Sequence, residues 1–118
     1  MNAIAKPATI TLDCADPAAL ADFYRQVTGW GVTYSDDDTV YLGDGGVQLG
    51  FQRVAGYTAP VWPQDPAGAH VDFSVADVAV AVKELTGLGA TVPAEQPGGD
   101  DWTVLVDPSG HVFCLSSG

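Results

Sequence analysis

The chain has 118 residues, 47% of them apolar, which is enough for one compact domain with a real core and too apolar for a disordered segment. Fifteen acidic against four basic residues give a formal charge of −11, so the surface repels phosphate backbones and argues against a nucleic-acid partner. No apolar run approaches a membrane span, the first ten residues lack an apolar leader core, and two cysteines at no disulfide spacing imply reduced thiols, so a cytoplasmic protein with no membrane partner is expected.

Thr9 to Asp16, TITLDCAD, alternates strictly and reads as a strand. Asp16 can cap a helix, and Pro17 suits its first turn. Leu20, Phe23, Tyr24 and Val27 then share a face, and Gly29 ends the helix. Short strands are predicted near 31–35, 39–43 and 46–53, with Asp44-Gly45 as the last turn. Asp36-Asp37-Asp38 precedes the second of these, and Asp100-Asp101 precedes a later strand. Turn chemistry explains both bunches, and neither shows the loop pattern of a calcium site.

Residues 55–68 carry Pro60, Pro63 and Pro66 and read as a linker, because proline cannot serve a central ladder. The first pattern then returns, 61 positions on, as His70 to Asp77, HVDFSVAD. Asp77 can cap, Val78, Val82 and Leu85 share a face, and Gly87 and Gly89 end the helix. Strands are predicted near 90–93, 102–106 and 111–116, with Pro108-Ser109-Gly110 as the last turn. The class is therefore α+β, with two β-α-β-β-β modules at about 7–54 and 69–118. One module alone, at ~55 residues, buries too little to be secure. The two must pair within one chain or across a dimer.

Period-two alternation sorts the strand faces. Ile10, Leu12, Val47, Leu49, Phe51, Val71, Phe73, Phe113 and Leu115 belong against the helices. Thr9, Thr11, Gln48, Gln52, His70, Asp72 and Cys114 point the other way. That polar face meets either plain solvent or, if the sheets twist and curl, a shared cleft. Trp62 and Tyr41 lie near it. Trp102 sits on a strand apolar on both sides, so alternation does not fix its direction.

Leu12 to Gly29, with Ala15-Asp16 before the helix and Asp22-Phe23-Tyr24 inside it, resembles the opening of glyoxalase/bleomycin-resistance/extradiol-dioxygenase proteins, the vicinal oxygen chelate superfamily. His70 to Val75, the helix end Leu88-Gly89-Ala90, and the ending Asp107-Pro108-Ser109-Gly110-His111-Val112-Phe113-Cys114-Leu115 resemble it too. Leu49 to Val54 and Trp102 to Pro108 look at home in its glyoxalase-like subgroup of small proteins. The resemblance covers nearly the whole chain as a single domain, 1–118. It implies a curved, half-barrel-like sheet with helices on the convex face and a cavity on the concave face. It also implies a homodimer, which would cover open sheet edges.

Metal-dependent members place one ligand on each of four strands, and the matching positions here are Thr9, Gln48, His70 and Cys114. That pattern wants mostly His and Glu, and only His70 fits it. The site is therefore expected to hold no metal. The alternative is a divalent ion such as zinc on His70, Cys114 and Gln48. His70 otherwise reads as a hydrogen-bonding group for a ligand or as a structural histidine paired with Asp13 or Asp72. His111 reads as a surface residue beside Gly110.

The expected function is small-molecule binding, with sequestration of a cationic or aromatic compound such as an antibiotic as its sharpest version. The cavity residues would be Thr9, Thr11, Tyr41, Gln48, Gln52, Trp62, His70, Asp72, Trp102 and Cys114. One alternative is a lyase, isomerase or dioxygenase, metal-dependent or using His70 in acid–base catalysis. The other is a non-catalytic structural or regulatory dimer.

Overall fold

The computed structural model describes residues 3–118. The chain forms two compact units, the first ending at Tyr57 and the second running Thr58–Gly118.

The first unit contains β1 (Thr9–Cys14), α1 (Pro17–Thr28), β2 (Gly31–Ser35), β3 (Thr39–Gly43) and β4 (Gln48–Arg53). Its sheet order is β1-β4-β3-β2, with β1 parallel to β4 and the other pairs antiparallel. Local chemistry sets the bounds of α1. The Asp16 carboxylate accepts from the Ala19 N–H at 3.2 Å, Pro17 occupies the first turn, and Gly29 closes the helix at φ 74. Leu20, Ala21, Phe23 and Tyr24 are buried, and Tyr24 stacks on Phe51 of β4 at 5.4 Å. Asp36 shapes the turn into β3, accepting from the N–H groups of Asp38 and Thr39 at 2.9 and 2.8 Å. A hydrogen bond from the Tyr34 hydroxyl, reinforced by these backbone donors, holds its carboxyl below the usual range. This acidic bunch is thus turn chemistry.

The second unit contains β5 (Val71–Ser74), α2 (Val78–Gly87), β6 (Thr103–Val106) and β7 (Val112–Ser116). Its order is β5-β7-β6, with β5 parallel to β7 and β6 antiparallel to it. Asp77 caps α2 by accepting from the Val80 N–H at 3.1 Å. Val71, Phe113 and Leu105 pair across this sheet on one face, with Phe73 and Leu115 beside them. The mixed α+β class is the one the sequence pattern implies.

One expected element is missing. The predicted strand near 90–93 is reduced to a single bridge, Thr91 to Val106, with reciprocal hydrogen bonds of 2.9 Å. Pro93 cannot donate to a ladder, and the chain turns away there. A side chain takes over the edge of β6. Gln96 accepts from the Val104 N–H at 2.8 Å and donates to the Val104 carbonyl at 3.0 Å, with a second donation to Pro93 O at 3.0 Å. One carboxamide thus supplies the donor and the acceptor that a neighbouring strand would have supplied. The expected apolar face of α2 is also less covered than its pattern suggests: Leu85 is buried, while Val78 and Val82 are half-buried. No helix among the described residues is long and apolar enough to cross a membrane.

Candidate functional site

The second sheet turns a different set of residues to the face opposite Phe113. Register places Asp72 beside Cys114 and Cys114 beside Val104, so one row crosses all three strands. His70 lies just before β5, two residues from Asp72, and its Nε2 meets Asp72 Oδ1 at 3.0 Å. These groups, with Val112 and Ser116, floor a cavity of about 550 Å³. That volume is within the range of small-molecule sites.

Two tryptophans wall the cavity, and the fold fixes each one. Trp62 packs against the buried cluster of Val104, Val112 and Cys114. Its turn is held by the Val61 N–H donating to the Asp65 carboxylate at 2.8 Å and the Asp65 N–H donating to Val61 O at 2.9 Å. Trp102 lies just before β6, with its indole against Gly98, where even a Cβ would run into the ring. Gly98 is buried, whereas Trp102 stays 41% exposed and faces the cavity. Asp101 and Pro97 complete the wall. The segment carrying Pro97, Gly98, Asp101 and Trp102 is the one Gln96 ties to β6.

Gln96→Ala is therefore expected to destabilise the chain by about 1–3 kcal/mol, because both polar groups of Val104 lose their partner. Gln96→Glu keeps an acceptor but loses the donor when ionised. Its stability in urea should improve as acidic pH restores a proton. Equal stability of wild type and both variants at pH 7 would show that the clamp contributes nothing.

The electrostatics of the floor are acidic and soft. Burial, then the charge of Asp72 and a hydrogen bond to its carboxylate, push the Cys114 thiol up from its ordinary value, so it stays protonated near neutrality. One donor atom each from His70, Asp72 and Cys114 lie within 4.8 Å of one another. Cys114 is 5% exposed, whereas the His70 and Asp72 side chains are 42% and 74% exposed.

The sequence-predicted residues fall into two groups. Trp62, His70, Asp72, Trp102 and Cys114 share this cavity in the second unit. Thr9, Thr11, Tyr41, Gln48 and Gln52 belong to the first unit. Thr9 pairs with Gln48, and Thr11 and Tyr41 each pair with Gly50. Tyr41 and Thr9 close over Gly50, where a Cβ would meet them at 2.8 and 3.0 Å. The Gln48 carboxamide oxygen accepts from the Thr33 hydroxyl. The donor cluster of the second unit combines His70 and Cys114 with Asp72, where the alternative zinc set had Gln48. The sequence pattern does not mark Asp101, Gln96 or Gly98 as site residues. Asp101 adjoins Trp102 in sequence, but nothing local marks the other two.

Residues 9–116 match the sequence profile of the glyoxalase-like domain. The chain belongs to the glyoxalase-like domain family. Similar solved structures include a glyoxalase-related enzyme from Fulvimarina pelagi (22% identity, 94% of this chain and 86% of that chain, TM-score 0.69). A glyoxalase/bleomycin resistance protein/dioxygenase family enzyme from Burkholderia phytofirmans is also similar (23% identity, 94% and 97%, TM-score 0.68). So is the bleomycin-binding protein of Streptomyces verticillus, solved with copper(II)-bleomycin (16% identity, 99% of both chains, TM-score 0.62). No curated protein matches significantly. At these identities the structures establish the fold of this glyoxalase-like domain alone, because one fold hosts many functions.

Proposed function

We propose that this glyoxalase-like domain binds a small, flat, cationic aromatic compound in the cavity of its second unit. The observation that carries this reading is the composition of the wall: Trp62 and Trp102 with the carboxylates of Asp72 and Asp101, and no lysine or arginine among the lining residues. Indole faces attract planar rings, and a cation over such a face gains about 0.5–2 kcal/mol, more when water is excluded. Two nearby carboxylates and the −11 charge of the chain add a long-range attraction that salt will screen. The bleomycin-binding relative makes sequestration a reasonable physiological use. The 3.0 Å His70–Asp72 pair favours one second reading, acid–base catalysis of a lyase or isomerase type. Turnover of the bound compound would distinguish it.

Calorimetry with 9-aminoacridine, a planar cation, and acridone, its neutral counterpart, tests the proposal. The cation should bind about tenfold more tightly, a difference of about 1.4 kcal/mol. Trp102→Ala should remove most of the affinity, and rising salt should weaken what remains. Equal binding of both compounds, or an unaffected Trp102→Ala, would overturn the proposal.

A further inference from the structure

We infer that His70, Asp72 and Cys114 form a zinc site built wholly from the second unit. The resemblance distributes ligands over four strands, two of them in the first unit. Here the first-unit positions carry Thr9, a neutral hydroxyl, and Gln48, whose amide oxygen is occupied by Thr33. Asp72 supplies a different third donor, and the topology explains why it can. Parallel pairing of β5 with β7 sets Asp72 directly beside Cys114, and His70 follows on the same face.

The spacing and chemistry fit the ion. Zinc bonds of about 2.0–2.3 Å place tetrahedral ligand atoms roughly 3.3–3.7 Å apart. The three donor atoms already lie within 4.8 Å, and the exposed His70 and Asp72 side chains can close the difference around a fixed Cys114. Imidazole, carboxylate and thiolate together suit zinc, whereas magnesium and manganese want oxygen. Three protein ligands also leave a position for water or a ligand atom, and these three face a cavity. Binding requires the Cys114 thiol to lose its proton to solvent as the zinc–sulfur bond forms. One proton is then released per ion, and affinity rises with pH.

Cobalt(II) added to chelator-treated, folded protein reads the site without any enzymatic assay. A thiolate-to-cobalt charge-transfer band should appear in the near ultraviolet, saturate at one ion per chain and vanish on zinc addition. Cys114→Ser should abolish the band. His70→Ala and Asp72→Asn should each weaken zinc binding about tenfold or more in a chelator competition, with unchanged melting of the metal-free variants. Gln48→Ala should bind zinc as wild type does. Absence of the band, or equal loss from Gln48→Ala and Asp72→Asn, would overturn the inference. The acridine titration is run in chelator and the zinc titration without organic compound, so the cavity reading and the metal reading can fail separately.

Discussion

Phe113→Ala is expected to destabilise the protein by about 3–5 kcal/mol, the cost of emptying a large, well-packed aromatic site. Phe113 is 1% exposed on β7, the middle strand of its sheet, and pairs with Val71 of β5 and Leu105 of β6. Its ring meets Phe73 edge to face at 5.9 Å. Lost burial and lost ring contact therefore add. At about 4 °C per kcal/mol for a chain of this size, the melting temperature should drop by roughly 12–20 °C. The adjacent Cys114 points to the opposite face, so the same variant should loosen the cavity floor and weaken cation binding. Phe113→Leu, which keeps most of the volume, should recover most of both. A fall of less than about 1 kcal/mol in urea unfolding, far below the usual cost of such a truncation, would mean that this face is not the core of the second unit.

Gly110→Ala is the second large effect, expected at about 2–4 kcal/mol from two independent causes. Gly110 has φ 92, outside the comfortable range of a residue with a side chain. A Cβ there would also meet the Ala59 Cβ at 2.9 Å and Pro60 at 3.1 Å. The turn itself is organised by Asp107, a buried carboxylate that accepts from the N–H groups of Ser109 and His111 at 2.8 and 3.0 Å. This is the physical content of the Asp-Pro-Ser-Gly ending: an acid that gathers donors and a glycine over which the linker crosses. If steric contact matters beside backbone strain, pairing Gly110→Ala with Ala59→Gly should restore part of the loss. No restoration would assign the whole effect to φ.

Much of the fold was legible because its signals are short-range. Asp16, Pro17 and Gly29 sit beside the helix ends they set, and Asp77 does the same for α2. Alternation placed Phe51 under α1 and Cys114 on the cavity face, since a strand has only two sides. The missing strand near 90–93 shows the limit. A glutamine side chain substituting for a strand edge has no periodicity, and Gln96 lies eight positions from the Val104 groups it satisfies. Trp102 was ambiguous for a related reason. Its indole lies against Gly98, a contact that alternation cannot register.

The candidate site was legible by residue and illegible by grouping. His70, Asp72, Cys114, Trp62 and Trp102 could each be singled out, and the structure gathers all five. That Asp72 would join Cys114 depends on the parallel register of two strands distant in sequence. The acidic bunches, by contrast, separated only once hydrogen bonds were visible: Asp36 serves a turn, while Asp101 faces the cavity.

Whether the second-unit cavity binds a planar cation is read most directly from a ¹H–¹⁵N spectrum followed through a titration with 9-aminoacridine. Saturable shifts, at one compound per chain, are expected in the indole N–H groups of Trp62 and Trp102 and the amides of His70, Asp72, Val104 and Cys114. Shifts centred instead on the groove of Ala18, Val32 and Val40 in the first unit, or changes that never saturate, would contradict the proposal.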